Sequence, residues 1–153
     1  MTLRVLIFSA LYLATLPVHR DHSTERVIQV HALADAIVEH HGDEDPWILA
    51  ALAVKETMAT TTKVGRLKEC GAMQVMHWHL RGPGWSCAYL QTPEGSVRAA
   101  VQSIKQWRDW PGRPADVDPW WCYASGNSCS GKRATRRLFS WRADLKRLAG
   151  APL

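Results

Sequence analysis

Long apolar runs, a Cys-x-x-Cys pair, internal repeats and low-complexity tracts are all missing from this chain. Without a run of about 20 apolar residues, no segment is long enough to be a spanning helix. Without Cys-x-x-Cys, a zinc site loses its usual support. With no repeat or linker to divide it, a chain of 153 residues reads as one domain, large enough to bury its own core. Phenylalanine is scarce, two residues against eight tryptophans. Such large amphipathic rings suit carbohydrate or interface contacts as well as cores. Acidic residues are outnumbered 14 to 19 by lysine and arginine, for a formal charge of +5. That excess favours a polyanionic partner or surface without saying which.

No cysteine precedes residue 70, and then four follow: Cys70, Cys87, Cys122 and Cys129. An even count in a chain that begins like an exported protein reads as two disulfides. Three pairings are possible, and proximity favours Cys70–Cys87 with Cys122–Cys129. The export signal is a basic start at Met1 to Arg4 followed by the mostly apolar Val5 to Val18. Even fully helical, that stretch reaches about 21 Å, short of a hydrocarbon core of roughly 30 Å. Residues 1–20 are therefore read as a signal peptide or short N-terminal anchor, although no clean pair of small residues precedes Arg20. A buried N-terminal core helix is the alternative. His77 and His79 alternate as an extended metal pair would, but no third ligand accompanies them, so no metal and no cofactor are expected.

The organising stretch runs from Asp45 to Glu56. Asp45 caps a helix, Pro46 suits its first turn, and Trp47 to Val54 are apolar without interruption. A helix apolar on every side belongs in the middle of a domain. It ends on Lys55 and Glu56, so a carboxylate stands where a buried helix emerges. Desolvation and the negative end of the helix dipole both disfavour ionisation there, the condition a general acid needs.

Around it, Ser23 caps a helix running to about His41, with Val27, Val30, Leu33, Ala34, Ile37, Val38 and His41 as its apolar stripe. The polar, β-branched segment 57–62 reads as loop or short extended structure. Thr92-Pro93 opens a helix in which Val97, Ala100, Val101, Ile104 and Trp107 share a face, and Pro111 to Pro119 read as loop. A basic last helix spans Lys132 to Leu148, with Leu138, Trp141 or Arg142, Leu145 and Leu148 on one side. Its cations are read first as a solvated face.

Three pieces then stand in order: Glu56-Thr57 after an apolar helix, Gly71-Ala72-Met73-Gln74, and Tyr123-Ala124-Ser125-Gly126. Together they resemble the catalytic domain of soluble-type lytic transglycosylases, relatives of goose-type lysozyme, over residues 23–150. The resemblance implies a mainly α, single lysozyme-like domain with a cleft at the end of the central helix. It implies Glu56 as catalytic acid. Substrate contacts would come from Thr57, Met73, Gln74, Tyr123 and Gly126, with Tyr123 orienting Glu56. Trp78, Trp120 and Trp121 are candidates to stack on sugars. Two positions depart from the family pattern: Ala72 stands for leucine, and Ala124 for the asparagine of Tyr-Asn-x-Gly, with Asn127 a nearby amide that could substitute.

The implied partner is the glycan strand of peptidoglycan rather than nucleic acid, in the periplasm or outside the cell. A secretion, conjugation or phage apparatus is a possible setting, with weak membrane association through the N-terminus. The implied reaction breaks the MurNAc-β-1,4-GlcNAc bond and forms 1,6-anhydro-MurNAc ends. The alternatives are a lysozyme-type muramidase and a catalytically weak peptidoglycan-binding or assembly protein. Glu69, between Lys68 and Cys70, reads as an exposed loop residue rather than a second catalytic carboxylate.

Overall fold

The computed structural model describes residues 1–17 and 23–152, with Asn127 described by its backbone alone. The expected end of the leader near Arg20 and the side chain of Asn127 lie outside the described residues. The chain is mainly α. The helices are α1 (Leu3–Thr15), α2 (Thr24–His40), α3 (Pro46–Thr57), α4 (Cys87–Leu90), α5 (Pro93–Arg108), α6 (Pro119–Ser125) and α7 (Lys132–Leu148). Two isolated antiparallel bridges, Val64 to Cys70 and Cys70 to Val75, fold the segment between α3 and α4 back on itself.

Local chemistry starts these helices where the sequence places them. Asp45 Oδ1 accepts from the Trp47 amide at 2.8 Å, with Pro46 in the first turn. Ser23 Oγ accepts from the Arg26 amide, and Thr92 Oγ1 from that of Gly95. Such caps contribute about 1 kcal/mol each. Asp118 and Pro119 repeat the Asp45-Pro46 arrangement and open α6, which takes in the aromatic residues after the expected loop.

α3 is central, packed against α1, α2 and α7. Every side chain from Trp47 to Val54 is at most 7% exposed. Each such burial is worth roughly 1.5–3 kcal/mol for a large side chain, before chain entropy is counted. Of the expected α2 stripe, Val30, Leu33, Ala34 and Ile37 are fully covered, and Val27, Val38 and His41 are half-buried. α7 buries Leu138 and Leu145 as expected, and departs from its expected face only at Leu148, which is 50% exposed; of the two alternatives between them, Trp141 is 37% exposed. Arg142 takes the inner place and donates from Nε to Asp45 Oδ2 at 2.6 Å, tying α7 to the cap of α3.

The segment read as a leader forms α1 and packs on α2, α3 and α7, with Ile7, Ala10 and Leu11 fully covered. Arg4 pairs with Asp35 at 3.0 Å and Glu39 at 3.1 Å on α2. That packing is the one a core helix would show. No helix among the described residues is long and apolar enough to cross a membrane.

The cysteines pair as proximity favoured, Cys70 with Cys87 and Cys122 with Cys129. The first bridge ties the folded-back segment to α4, and the second closes the turn after α6. Replacing Cys70 and Cys87 together by serine is expected to cost roughly 2–5 kcal/mol, read as a lowered Tm. In exported protein, denatured but unreduced, thiol labelling should find no free cysteine; four free thiols would refute the bridges.

Candidate functional site

Glu56 sits in the last turn of α3, at the mouth of a cavity of about 180 Å³ lined also by Leu52, Lys55, Met73, Gln74, Trp120, Tyr123, Ala124 and the α7 residues Ala134, Thr135 and Leu138. A larger groove of about 850 Å³ shares Gln74, Tyr123 and Ala124 with it. The three sequence pieces thus meet at one place. The desolvation expected of Glu56 is only partial. Its side chain keeps 31% exposure, and the Lys55 ammonium pairs with Oε1. A residue at the end of a buried helix faces the opening rather than the core.

The residues immediately after Glu56 are held tightly. Thr57 Oγ1 donates to the carbonyls of Ala53 at 3.1 Å and Ala72 at 3.0 Å, and accepts from the Thr60 amide at 3.0 Å. Its hydroxyl joins the end of α3 to the 71–74 turn, so its role in this structure is positioning. Met58 and Ala59 both take left-handed backbone, with φ of +54° and +60°. Such conformations are costly outside glycine and persist where surroundings enforce them. The enforcing group is the Arg26 guanidinium, which donates to the Met58 carbonyl and, at 3.1 Å, to that of Ala59. Burial lowers the pKa of Arg26 from its ordinary value.

The 71–74 turn is shaped by Gly71 at φ +78° and Gln74 at +49°. Ser96 Oγ accepts from the Ala72 amide at 2.8 Å and donates to the Leu90 carbonyl at 2.6 Å, locking the turn on α5. Ala72 and Met73 are buried, and Met73 also floors the smaller cavity. Gln74 Nε2 donates to the Gly71 carbonyl at 2.9 Å, which fixes the amide at the junction of the two cavities.

Tyr123 packs on Trp120 at 5.2 Å and donates its hydroxyl to the Met73 carbonyl at 3.4 Å. Burial first, and then the charge of Glu56, push its phenol well above the usual range. It therefore links α6 to the 71–74 turn beside Glu56, with the hydroxyl bond going to backbone. Gly126 ends α6 at φ +67° and ψ −150°, a region essentially reserved for glycine.

Among the tryptophans, Trp120 lines the Glu56 cavity, while Trp121 is half-buried with the Lys132 ammonium 5.1 Å from its ring centre. Trp78 is 49% exposed, edge-on to His77 and His79, and lines neither cavity. The groove takes its rings from Trp107 and Trp110, which the sequence places on a helix face and at a helix end. Among the described residues, no group of three or more His, Cys, Asp or Glu is arranged to hold a metal ion.

Glu69 departs from expectation. It is half-buried, and its Oε2 is inaccessible and without a hydrogen-bond partner. Its carboxyl lies with Gln74 Oε1 over Gly65, where an added Cβ would stand 2.3 Å from Glu69 Cδ and 2.4 Å from Gln74 Oε1. The backbone explains this: Gly65 N donates to the Glu69 carbonyl at 2.8 Å, turning the segment back so that Glu69 meets the motif glutamine. Comparison of the chain with protein-family models, curated proteins and solved structures gives no match.

Proposed function

We propose that this protein is a lysozyme-like, exported peptidoglycan lytic transglycosylase. The observation that carries the reading is the convergence of Glu56, Gln74 and Tyr123 on a small pocket that shares Gln74, Tyr123 and Ala124 with a larger groove. A glycan strand fits such a shape, with the scissile bond over Glu56. Two disulfides accord with an oxidising compartment. A sugar seated there displaces water and competes with Lys55 for the carboxylate.

Glu56 then gives its proton to the glycosidic oxygen as the C1–O bond breaks. As a carboxylate it next takes the proton of the same sugar's C6 hydroxyl, whose oxygen bonds to C1. The net change is a broken glycosidic bond and a 1,6-anhydro ring, with Glu56 returned to its acid form and no water consumed. An intramolecular attack of this kind gains roughly 7–11 kcal/mol from proximity. Gln74 supplies an amide for N-acetyl or hydroxyl groups. Ala124 contributes only a methyl group where the resembled family has an amide.

Glu69, whose carboxyl lies with the Gln74 amide over Gly65 although it lines neither cavity, raises a second reading, a hydrolase in which a second carboxylate prepares water. Mass spectrometry of a muropeptide digest separates the two, because the products differ by one water per cleaved bond. We expect 1,6-anhydro ends from the wild type and from Glu69→Gln alike. Reducing ends, suppressed in Glu69→Gln, would establish the hydrolase instead. A murein zymogram without clearing would leave a binding or assembly protein.

A further inference from the structure

We infer that the outer face of α7 docks on an anionic lipid surface through Arg133, Arg136, Arg137, Trp141 and Leu148. Murein cleavage plays no part in that docking. Of the 17 residues of α7, seven are cations and one, Asp144, is an acid. Three of the cations are committed inside the protein. Arg142 pairs with Asp45, Arg147 with Asp144, and the Lys132 ammonium stands 5.1 Å from the Trp121 ring centre. Arg133, Arg136 and Arg137 are exposed, and none has an acidic partner among the described residues.

That cluster costs the helix stability. Arg133 is three residues from Arg136 and four from Arg137, the spacings at which like charges meet and repel. The first turn holds no acid to offset them, and the helix dipole disfavours cations there. The inner face of the same helix brings Ala134, Thr135 and Leu138 to the Glu56 pocket, so the arginines point away from it. Charges set against local preference, with no partner inside, are complementary to a surface of opposite sign outside.

What stands in line with the arginines selects the kind of surface. Residues four apart share a helix face, so Arg133, Arg137 and Trp141 follow one another, and Leu148 extends the line two turns further. Trp141 is 37% and Leu148 50% exposed, so an indole and a branched apolar group are open to solvent there. A soluble polyanion offers phosphates to the arginines and nothing to Leu148. The face of an anionic bilayer offers phosphates to guanidinium groups, an interfacial layer to the indole, and acyl chains to leucine. Each cation near such a surface strengthens binding severalfold, so three give roughly 100-fold over a neutral one.

The test is cosedimentation of the full, disulfide-bonded chain with vesicles of phosphatidylcholine, alone or mixed with anionic phosphatidylglycerol. Binding to the mixed vesicles should be roughly 100-fold tighter at low salt and should weaken as salt rises. The triple variant Arg133→Gln, Arg136→Gln, Arg137→Gln should lose that preference. Its fold should stay intact by circular dichroism, because glutamine keeps helix propensity and removes the repulsion. Trp141→Ala should weaken binding severalfold and leave its salt dependence unchanged. Equal affinity for the two kinds of vesicle would overturn the docking. A preference that survives the triple variant would overturn it too, by putting the lipid contact elsewhere on the protein. So would soluble polyphosphate bound as tightly as the mixed vesicles, with Trp141→Ala having no effect on either. None of these readouts depends on Glu56.

Discussion

Glu56→Gln is expected to abolish murein cleavage, by on the order of 10²–10⁴-fold or more, while the fold and glycan binding persist. The amide keeps the shape of the carboxyl group and removes its transferable proton. Little else depends on that group. Its ion pair with the adjacent Lys55 involves two partly exposed side chains, and such pairs contribute at most about 1 kcal/mol. The buried residues of α3 are untouched, so Tm should stay within a few degrees of wild type. The decisive measurement is turnover of purified murein alongside thermal denaturation. Activity within a few-fold of wild type would remove Glu56 from the mechanism, whatever the other motifs do.

How far the sequence foretold this site depends on how local each signal is. Asp45-Pro46 followed by eight apolar residues encodes a buried helix and its carboxylate terminus without outside help, and the structure has both. Ser23 and Thr92 mark helix starts by the same local chemistry. α6 was equally legible from Asp118-Pro119, but the Pro- and Asp-rich residues before it read as loop. The long-range features were not legible. Glu69 looks exposed in sequence because its neighbours are polar. It becomes half-buried because a reversal at Gly65 places it against Gln74, nine residues after Gly65 in the chain. Trp107 has the spacing of a core residue, yet it is only half-buried and stands on a wall of the groove. Thr57 has the polarity of a ligand contact, and its hydroxyl is used up inside the protein.

Gly71→Ala is expected to destabilise the protein severely, and Gly126→Ala only modestly. Both glycines have positive φ, so the difference lies in what surrounds them. At Gly71 an added Cβ would stand 1.9 Å from the Leu90 carbonyl oxygen and 2.3 Å from Ser96 Oγ, besides a φ of +78°. The nearest obstacle is backbone, and the second is the hydroxyl that locks the turn through the Ala72 amide. Relief would pull Met73 out of the core and move Gln74 away from the cavity junction. A core rupture of that kind costs on the order of 4–5 kcal/mol, against a total stability of about 5–15 kcal/mol. At Gly126 an added Cβ meets nothing within 4 Å. The remaining cost is the backbone conformation, of order 1–3 kcal/mol. For a domain of this size, that lowers Tm by roughly 2–4 °C per kcal/mol. Circular dichroism during heating should therefore show a modestly lowered Tm for Gly126→Ala and a far larger loss of Tm for Gly71→Ala. A Gly71→Ala protein as stable as wild type would mean that the turn holding Gln74 beside Glu56 is not packed on Leu90 and Ser96, and the geometry assigned to the site would fall with it.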